Sequence, residues 1–277
     1  MTVGEVLRAA ADHLEARGVP SPRLDAELLL ARALGLERIE LYTQHDRPLD
    51  EQERAAARDL VRRRAAREPL AYILGDWDFR HLTLRTDRRA LVPRPETEVV
   101  VDRCLALLDG TVEPRVVDVG TGTGAIALAL KHERPDAHVT ATDVSPDALA
   151  LAGENAAANG LEVELVEGNL LAGLTGSFAL VVSNPPYVRA DELPGLEPEV
   201  RDWEPRTALV DDGQTERLID EAREVLDGHL VLELHEERAA LVRRALARAG
   251  YVEVAVALDL AGRERVAEAR WRPSSGR

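Results

Sequence analysis

The chain has 277 residues, a formal net charge of −15 and a single cysteine, Cys104. Acidic and basic side chains balance over residues 1–90, so the whole negative excess lies in residues 91–277. Such an acidic region repels phosphates, which argues against a nucleic-acid partner. One cysteine excludes an internal disulfide, no apolar run approaches the ~20 residues of a membrane span, and the first residues lack a signal-peptide pattern. We therefore expect a cytoplasmic protein without membrane contact.

Residues 1–75 carry helix signals throughout. Apolar residues recur at helical spacing, and three pairs of residues are typical of helix starts. The pairs are Thr2 with Glu5, Ser21 with Pro22, and Asp50 with Glu53. Gly35 is placed to end the second helix. The pattern predicts a small N-terminal helical bundle over residues 1–75.

Residues 76–92 change from helical spacing to alternation. The run Asp76-Trp-Asp-Phe-Arg-His-Leu-Thr-Leu84 places apolar residues at every second position for much of its length. This spacing is typical of two short strands joined by a turn. We predict a β-hairpin linker over residues 76–92.

Residues 93–277 alternate between helices and short apolar strands, as in a doubly wound α/β sheet. The strands are expected near Val116, Val139, Val163, Leu180, Leu230, Val252 and Val266. The predicted fold is therefore α/β, with a seven-stranded, doubly wound, Rossmann-like sheet. The polar end Pro273–Arg277 is predicted to be frayed.

A glycine loop follows the first of these strands. Arg115-Val-Val-Asp-Val-Gly-Thr-Gly-Thr-Gly124 predicts a strand and a loop, and the apolar run that begins at Ala125 predicts a helix. Glycines let a ligand approach the backbone, and a helix start supplies free N–H groups. The candidate cofactor-binding residues in the loop are Gly120, Thr121, Gly122, Thr123 and Gly124.

Two acids accompany the loop. Asp143 ends the next strand, where a carboxylate accepts hydrogen bonds from both ribose hydroxyls of a bound nucleoside. The loop and Asp143 together also satisfy a dinucleotide fingerprint. Asp118 can face the ammonium group of a bound amino acid, which is useful with S-adenosylmethionine and pointless with a nicotinamide cofactor. The alternative interpretation of Asp118 is a helix or turn cap.

The tetrad Asn184-Pro185-Pro186-Tyr187 ends the apolar run Phe178–Ser183. Two prolines stop the predicted strand and leave a stiff loop at its carboxyl end, where ligands of open α/β sheets bind. The side-chain oxygen of Asn184 and the carbonyl of Pro185 can accept both N–H groups of a planar nitrogen, and Tyr187 can lie against its plane. In this context the tetrad indicates methylation of an amide or exocyclic amine.

These motifs resemble, in order and spacing, class I S-adenosylmethionine-dependent methyltransferases that modify amino groups. Further segments are similar to the release-factor glutamine methyltransferases. They are Tyr72–Gly75, Leu91–Glu98, Glu204-Pro205 with Ala208-Leu209, and Asp259–Val266. The chain is identified as a member of that family by its sequence.

The resemblance implies S-adenosylmethionine as cofactor, with Asn169 and Leu170 near its adenine. It also implies that Arg94 and Glu96 join the tetrad in binding substrate, and that the last two strands are antiparallel. The implied acceptor is the glutamine of the Gly-Gly-Gln loop in class I peptide chain release factors, held partly by the bundle. We expect a monomer that makes no direct contact with nucleic acid.

Other functions share parts of this pattern. A glutamine methyltransferase acting on a ribosomal protein carries nearly the same motifs. An adenine-N6 methyltransferase needs the same acceptors but normally adds a basic recognition region, which this chain lacks. The intact loop and tetrad argue against a non-catalytic scaffold. The scattered histidines indicate no metal site.

Overall fold

The computed structural model describes residues 1–272, so the predicted frayed end Pro273–Arg277 lies outside the described residues. The helices are α1 (Val3–Ala16), α2 (Pro22–Leu34), α3 (Glu40–Thr43), α4 (Glu51–Ala65), α5 (Leu70–Leu74), α6 (Pro95–Leu107), α7 (Ala125–Glu133), α8 (Pro146–Ala158), α9 (Pro198–Arg201), α10 (Arg206–Leu209), α11 (Gln214–Val225) and α12 (Ala239–Arg248). The strands are β1 (Asp76–Phe79), β2 (Leu82–Arg85), β3 (Arg115–Val119), β4 (His138–Asp143), β5 (Glu164–Glu167), β6 (Phe178–Ser183), β7 (Leu226–Glu233), β8 (Val252–Leu258) and β9 (Glu264–Trp271). No helix within residues 1–272 is long and apolar enough to cross a membrane.

The chain forms two compact units. The first contains Met1–Asp76 together with Glu197–Trp203, and the second contains Trp77–Leu196 and the chain from Glu204 onward. The predicted hairpin is present as β1 and β2, with Arg80 in the turn, and apart from Asp76 it belongs to the second unit.

The first unit is a bundle of helices whose starts match the sequence signals. Capping boxes at Thr2 and Asp50 open α1 and α4, as predicted. Pro22 occupies the first turn of α2 without a side-chain cap from Ser21, and Gly35 ends this helix with φ of 64°. The short helices α3 and α5 were not predicted, because four or five residues are too few to establish a helical period.

A buried ionic network ties Glu197–Trp203 into the first unit. The guanidinium of Arg64 lies 2.7 Å from the carboxylate of Asp25 and 2.8 Å from that of Glu199. Arg67 lies 2.6 Å from the other oxygen of Glu199. Burial raises the pKa of Asp25 despite its bond to Arg64. This cluster pairs charges that are costly to bury alone, and sequence reasoning did not assign the segment to the bundle.

The second unit contains the predicted seven-stranded sheet, in the order β5-β4-β3-β6-β7-β9-β8. Strands β3 to β7 are parallel to one another, and β9 runs antiparallel to β7 and β8. Alternate residues of β3 point to opposite faces: Val116 packs with α6 and α7, whereas Val117 packs with α11 and α12. Helices therefore cover both faces. From β3 the chain adds β4 and β5 toward one edge of the sheet and then returns to add β6 on the other side of β3. This reversal of strand order places a ligand crevice at the carboxyl ends of β3 and β6.

Candidate active site

A cavity of about 450 Å³ lies at the carboxyl ends of β3, β4 and β6, and all of its lining residues belong to the second unit. Its size is that of a small-molecule site. The predicted residues in its lining are Arg94, Gly120, Thr121, Gly122, Thr123, Asp143, Asn169, Leu170, Asn184, Pro185 and Pro186. The structure thus brings the glycine loop and most of the tetrad to one cavity.

The glycine loop and Asp143 are joined by backbone hydrogen bonds. The Gly122 amide donates to Oδ2 of the Asp143 carboxylate, and the Ser145 amide donates to Oδ1, each at 2.9 Å. Each oxygen keeps a lone pair, so the carboxylate can still accept hydrogen bonds from a ligand. A Cβ placed on Gly120, whose φ is 72°, would meet no atom within 4 Å, so that position leaves open space for a close ligand.

Gly124 has a packing role instead and does not line the cavity. Its φ is 85°, and a Cβ there would lie 3.1 Å from Leu128 and 3.3 Å from Ala152. A side chain at this position would therefore push α7 away from α8. Gly124 is therefore needed for the close packing of α7 against α8, and it also forms part of the loop.

Asp118 makes the capping contacts that were the alternative interpretation of this residue. One carboxylate oxygen, Oδ2, accepts from the Thr121 hydroxyl at 2.6 Å and from the Ala127 amide at 3.2 Å. The other oxygen, Oδ1, is buried without a hydrogen-bond partner among the described residues. Burial raises the pKa of Asp118 to about 7. Asp118 lies behind the cavity lining, and its unpaired oxygen is the atom that can still respond to a nearby cation.

The raised pKa predicts a pH-dependent stability. Because folded Asp118 holds its proton more tightly than unfolded Asp118, its contribution is present at low pH and is lost as pH rises from about 4 to about 7. In ligand-free protein, Asp118→Asn should reduce the loss of unfolding free energy between pH 5 and pH 8 by about 2–3 kcal/mol. Urea unfolding across this range measures it, with Asp147→Asn on the exposed start of α8 as control. Equal pH slopes for wild type and Asp118→Asn would contradict it.

The tetrad begins where β6 is pinned to β3. The Ser183 hydroxyl donates to the Val119 carbonyl at 2.7 Å, which fixes the two strand ends beside each other. Asn184 follows at once, and its Nδ2 donates to the Thr97 hydroxyl at 3.5 Å. Because Pro185 and Pro186 cannot donate to the sheet, the chain leaves it here and forms the cavity wall.

Tyr187 lies away from the main cavity. Its ring centroid is 6.2 Å from that of His235, and its carbonyl accepts from Arg238 at 3.2 Å. It lines a much smaller hollow with Pro185 and Glu233, and burial raises the pKa of its hydroxyl. Tyr187 thus lies outside the lining of the main cavity, in a position to support the tetrad from behind.

Arg94 and Glu96 occupy different positions. The Nη2 atom of Arg94 lies 2.8 Å from both carboxylate oxygens of Glu204, and Arg94 lines the cavity. Burial raises the pKa of Glu204, and Arg94 opposes that rise. Glu96 lies outside the lining and accepts from Arg263 at 3.3 Å.

The loop at residues 168–170 supplies another wall. Asn169 and Leu170 both line the cavity, as the resemblance implied. Leu170 has φ of 56°, and its carbonyl accepts from the Thr142 hydroxyl at 3.1 Å. A positive φ at a leucine is strained, and such strain is often found beside binding sites.

Several lining residues were missed from the sequence. They include Val92, Thr97, Ile126, Val144, Arg206, Gln214 and Arg217. Val144 is an apolar residue directly after Asp143, a position that sequence reasoning could have used, and the structure leaves it 60% exposed. Thr97 and Arg206 lie inside segments that carried the family resemblance. Within residues 1–272 no group of three or more His, Cys, Asp or Glu residues is arranged to hold a metal ion.

Comparison with known proteins places these features in a family. Residues 5–75 match the PrmC N-terminal domain, and residues 100–194 match the methyltransferase small domain. A release factor glutamine methyltransferase of Deinococcus radiodurans is 46% identical over 276 residues, covering 98% of this chain and 99% of that protein. One of Geobacter sulfurreducens is 41% identical over 278 residues, covering 97% of this chain and 96% of that protein.

Among solved structures, the hMettl16 catalytic domain in complex with MAT2A 3'UTR hairpin 6 has a TM-score of 0.58. It is 20% identical and covers 77% of this chain and 82% of that chain, a likeness that shows the fold alone. The two full-length relatives carry the assignment. With its glycine loop, Asp143 and most of the tetrad at one cavity, the chain belongs to the release factor glutamine methyltransferase family.

Proposed function

We propose that the protein transfers a methyl group from S-adenosylmethionine to the side-chain amide nitrogen, N5, of a glutamine. The acceptor is the glutamine in the Gly-Gly-Gln loop of class I peptide chain release factors, so the enzyme modulates translation termination. The observation that carries the proposal is one cavity shared by the glycine loop, Asp143, Asn184 and Pro185. The relatives' names support the substrate class.

The residues present fit the cofactor. Gly120 leaves space for a ligand beside the backbone, and Asp143 retains acceptor capacity for ribose hydroxyls. Val144, Ile126 and Leu170 offer apolar walls for a base. When bound, S-adenosylmethionine supplies a methyl group already activated on a positively charged sulfur. We assign its binding to the loop Gly120–Gly124 with Asp118, Asp143, Asn169, Leu170 and Asn184, where Asp118 and Gly124 act from behind the lining.

The tetrad makes the acceptor nitrogen reactive. The lone pair of an amide nitrogen is delocalised into its carbonyl group, so the nitrogen is a weak nucleophile. Acceptors at Asn184 Oδ1 and the Pro185 carbonyl would each take one N–H and strengthen as positive charge develops on the nitrogen. Orientation of the nitrogen within the cavity contributes several kcal/mol more. Tyr187 contributes by supporting Pro185. We assign the acceptor's side of the site to Arg94 and Pro186, which line the cavity, with Glu96 outside the lining.

Substrate selection is assigned to the bundle. We propose that residues 1–75 recognise the body of the release factor, that residues 76–92 link the bundle to the enzyme, and that residues 93–277 bind the cofactor and transfer methyl. The match of residues 5–75 to a separate domain family supports an independent role for the bundle. Four cavity residues, 89–92, lie at the end of the linker, and all the others lie after residue 92, which supports the assignment of transfer to residues 93–277.

One experiment tests the substrate. The purified protein is incubated with labelled S-adenosylmethionine in three separate reactions, which contain a class I release factor, total ribosomal protein or DNA. Mass spectrometry then locates the label. We expect methylation of the glutamine in the Gly-Gly-Gln loop. Label on a ribosomal-protein glutamine or on adenine, and not on the factor, would replace this function with one of the alternatives.

Cofactor choice gives a separate prediction for Asp143. Asp143→Ala should weaken S-adenosylmethionine binding by ~1–3 kcal/mol, because a ligand hydroxyl loses its acceptor. Titration calorimetry measures the affinity, and Asp147→Ala on the exposed start of α8 is the matched control. Wild-type protein should bind S-adenosylmethionine and not NADH. Tight NADH binding, or unchanged affinity in Asp143→Ala, would disprove the assigned role of Asp143.

A further inference from the structure

Two buried polar residues lie directly behind the Asn184 side chain. Asn184 Nδ2 lies 3.5 Å from the Thr97 hydroxyl oxygen. The Thr97 hydroxyl in turn faces the carboxyl group of Glu233, whose pKa is raised by burial and lowered in part by hydrogen bonding from Thr97. Thr97 is 4% exposed and Glu233 is 2% exposed. Thr97 lies on α6, and Glu233 is the last residue of β7. The three residues thus connect α6 and the ends of β6 and β7.

Counting donors determines the direction of this chain of hydrogen bonds. A hydroxyl has one proton, and an ionised carboxylate can only accept. Thr97 therefore donates to Glu233 and must accept from Asn184. That requirement turns the NH₂ group of the Asn184 amide toward Thr97 and leaves its oxygen, Oδ1, for another partner.

We propose that Thr97 and Glu233 are positioning residues that hold the Asn184 amide with its oxygen toward the acceptor nitrogen. This inference rests on the proposed function, in which Asn184 Oδ1 accepts an N–H of the glutamine. A flipped Asn184 would present N–H groups to that nitrogen's own N–H groups, and the contact would become repulsive. The hydroxyl of Thr97 is thus required for the chemistry although it acts through Asn184.

Glu233 makes the arrangement sensitive to pH. Burial raises the pKa of Glu233 to about 7, and its oxygen Oε2 has no hydrogen-bond partner among the described residues. The charged or titratable groups that act on it are Arg94, Glu96, Tyr187 and Arg265, and Asp211, Glu216 and Arg238 line the same hollow. Once protonated, Glu233 can donate to Thr97, and the Thr97 hydroxyl is then free to donate to Asn184. The turnover number should therefore fall as pH decreases through about 7.

Thr97→Val and Thr97→Ser form a matched pair, because valine keeps the shape without the hydroxyl and serine keeps the hydroxyl. Each is made in the full-length protein with Asn184 and with Asn184→Ala. We expect Thr97→Val to lower kcat about tenfold and to lose the pH step near 7, Thr97→Ser to restore most of the activity, and cofactor affinity to stay within about twofold. In the Asn184→Ala background, Thr97→Val should have no further effect, because residues that act as a unit are not additive.

A second readout is independent of activity. The side-chain amide signal of Asn184 in protein labelled with ¹⁵N-asparagine, assigned by its loss in Asn184→Ala, should shift in Thr97→Val and stay in place in Thr97→Ser. An unshifted signal in Thr97→Val, or an equal loss of kcat with and without Asn184, would overturn the inference. Failure of the wild-type protein to methylate any glutamine would instead overturn the proposed function, and the amide signal would still decide the hydrogen-bond order.

Discussion

Replacing Asn184 by alanine is expected to lower kcat by at least ~10²-fold while leaving the fold nearly intact. Asn184 lies in a loop after β6, and its side chain makes a long hydrogen bond to Thr97, so its removal costs little stability. Its oxygen is one of two acceptors assigned to the glutamine nitrogen. Because such an acceptor acts most strongly on the charge that develops in the transition state, its loss should reduce kcat more than cofactor binding.

Steady-state kinetics with the release factor and calorimetry with S-adenosylmethionine separate these effects. Asn184→Asp is a demanding companion, since it keeps the shape and an acceptor oxygen but removes the NH₂ donor to Thr97. It also brings a negative charge close to buried Glu233, so we expect it to be impaired as well. Asn159→Ala, at the end of α8, is the control for loss of an asparagine. Full activity of Asn184→Ala would refute the assigned role.

Removal of the helical bundle is expected to lower activity on the intact protein substrate while leaving activity on a peptide substrate. A chain lacking residues 1–76 should methylate a short Gly-Gly-Gln peptide about as well as the full chain does. On intact release factor its kcat/KM should fall by at least ~10²-fold, because a stable protein contact needs about 800 Å² per partner, more than the mouth of one cavity can provide.

The structure changes the design of this truncation. Glu197–Trp203 folds with the bundle, and Glu199 loses Arg64 and Arg67 when residues 1–76 are removed. The truncated chain should therefore also carry Glu199→Gln, and the same change in the full chain is the control. Circular dichroism and cofactor affinity show whether the fragment is folded. A folded fragment that methylates intact factor at the full rate would show that the bundle does not read the substrate.

Local sequence patterns predicted much of the fold. Capping pairs located the starts of α1 and α4, and alternation located the hairpin. The seven strands lie at or beside the predicted apolar runs. These features depend on hydrogen bonds and burial within a few residues of chain, so they can be read without knowing what packs against them. The short helices α3 and α5 were not predicted, because they are too short to show a helical period.

The position of the cavity was also predictable. Strand ends of a parallel sheet meet at one edge, so a glycine loop after β3, an acid after β4 and a tetrad after β6 had to converge there. Most of the proposed cofactor-binding residues therefore come from short motifs at the ends of predicted strands. The same argument predicts the edge of the sheet at which a residue lies, but it does not predict the direction of its side chain.

Side-chain direction was decided by tertiary structure. Asp118 has two chemically sensible partners, a ligand cation or the backbone of α7, and folding directs one of its oxygens to Thr121 and Ala127. Tyr187 was expected against the bound group, but its ring lies beside His235. Both outcomes depend on residues distant in sequence, whose packing no local pattern describes.

The sequence by itself determined the α/β fold and the family, and it predicted the residues proposed to carry the chemistry, because these lie in short motifs with a fixed order along the chain. Only the tertiary structure assigned Glu197–Trp203 to the bundle and joined Asn184 to Thr97 and Glu233. Those contacts join separate elements of the fold, and they form because a buried polar group without a partner is costly. The orientation of Asn184 is thus a property of the fold, whereas its presence is a property of the sequence.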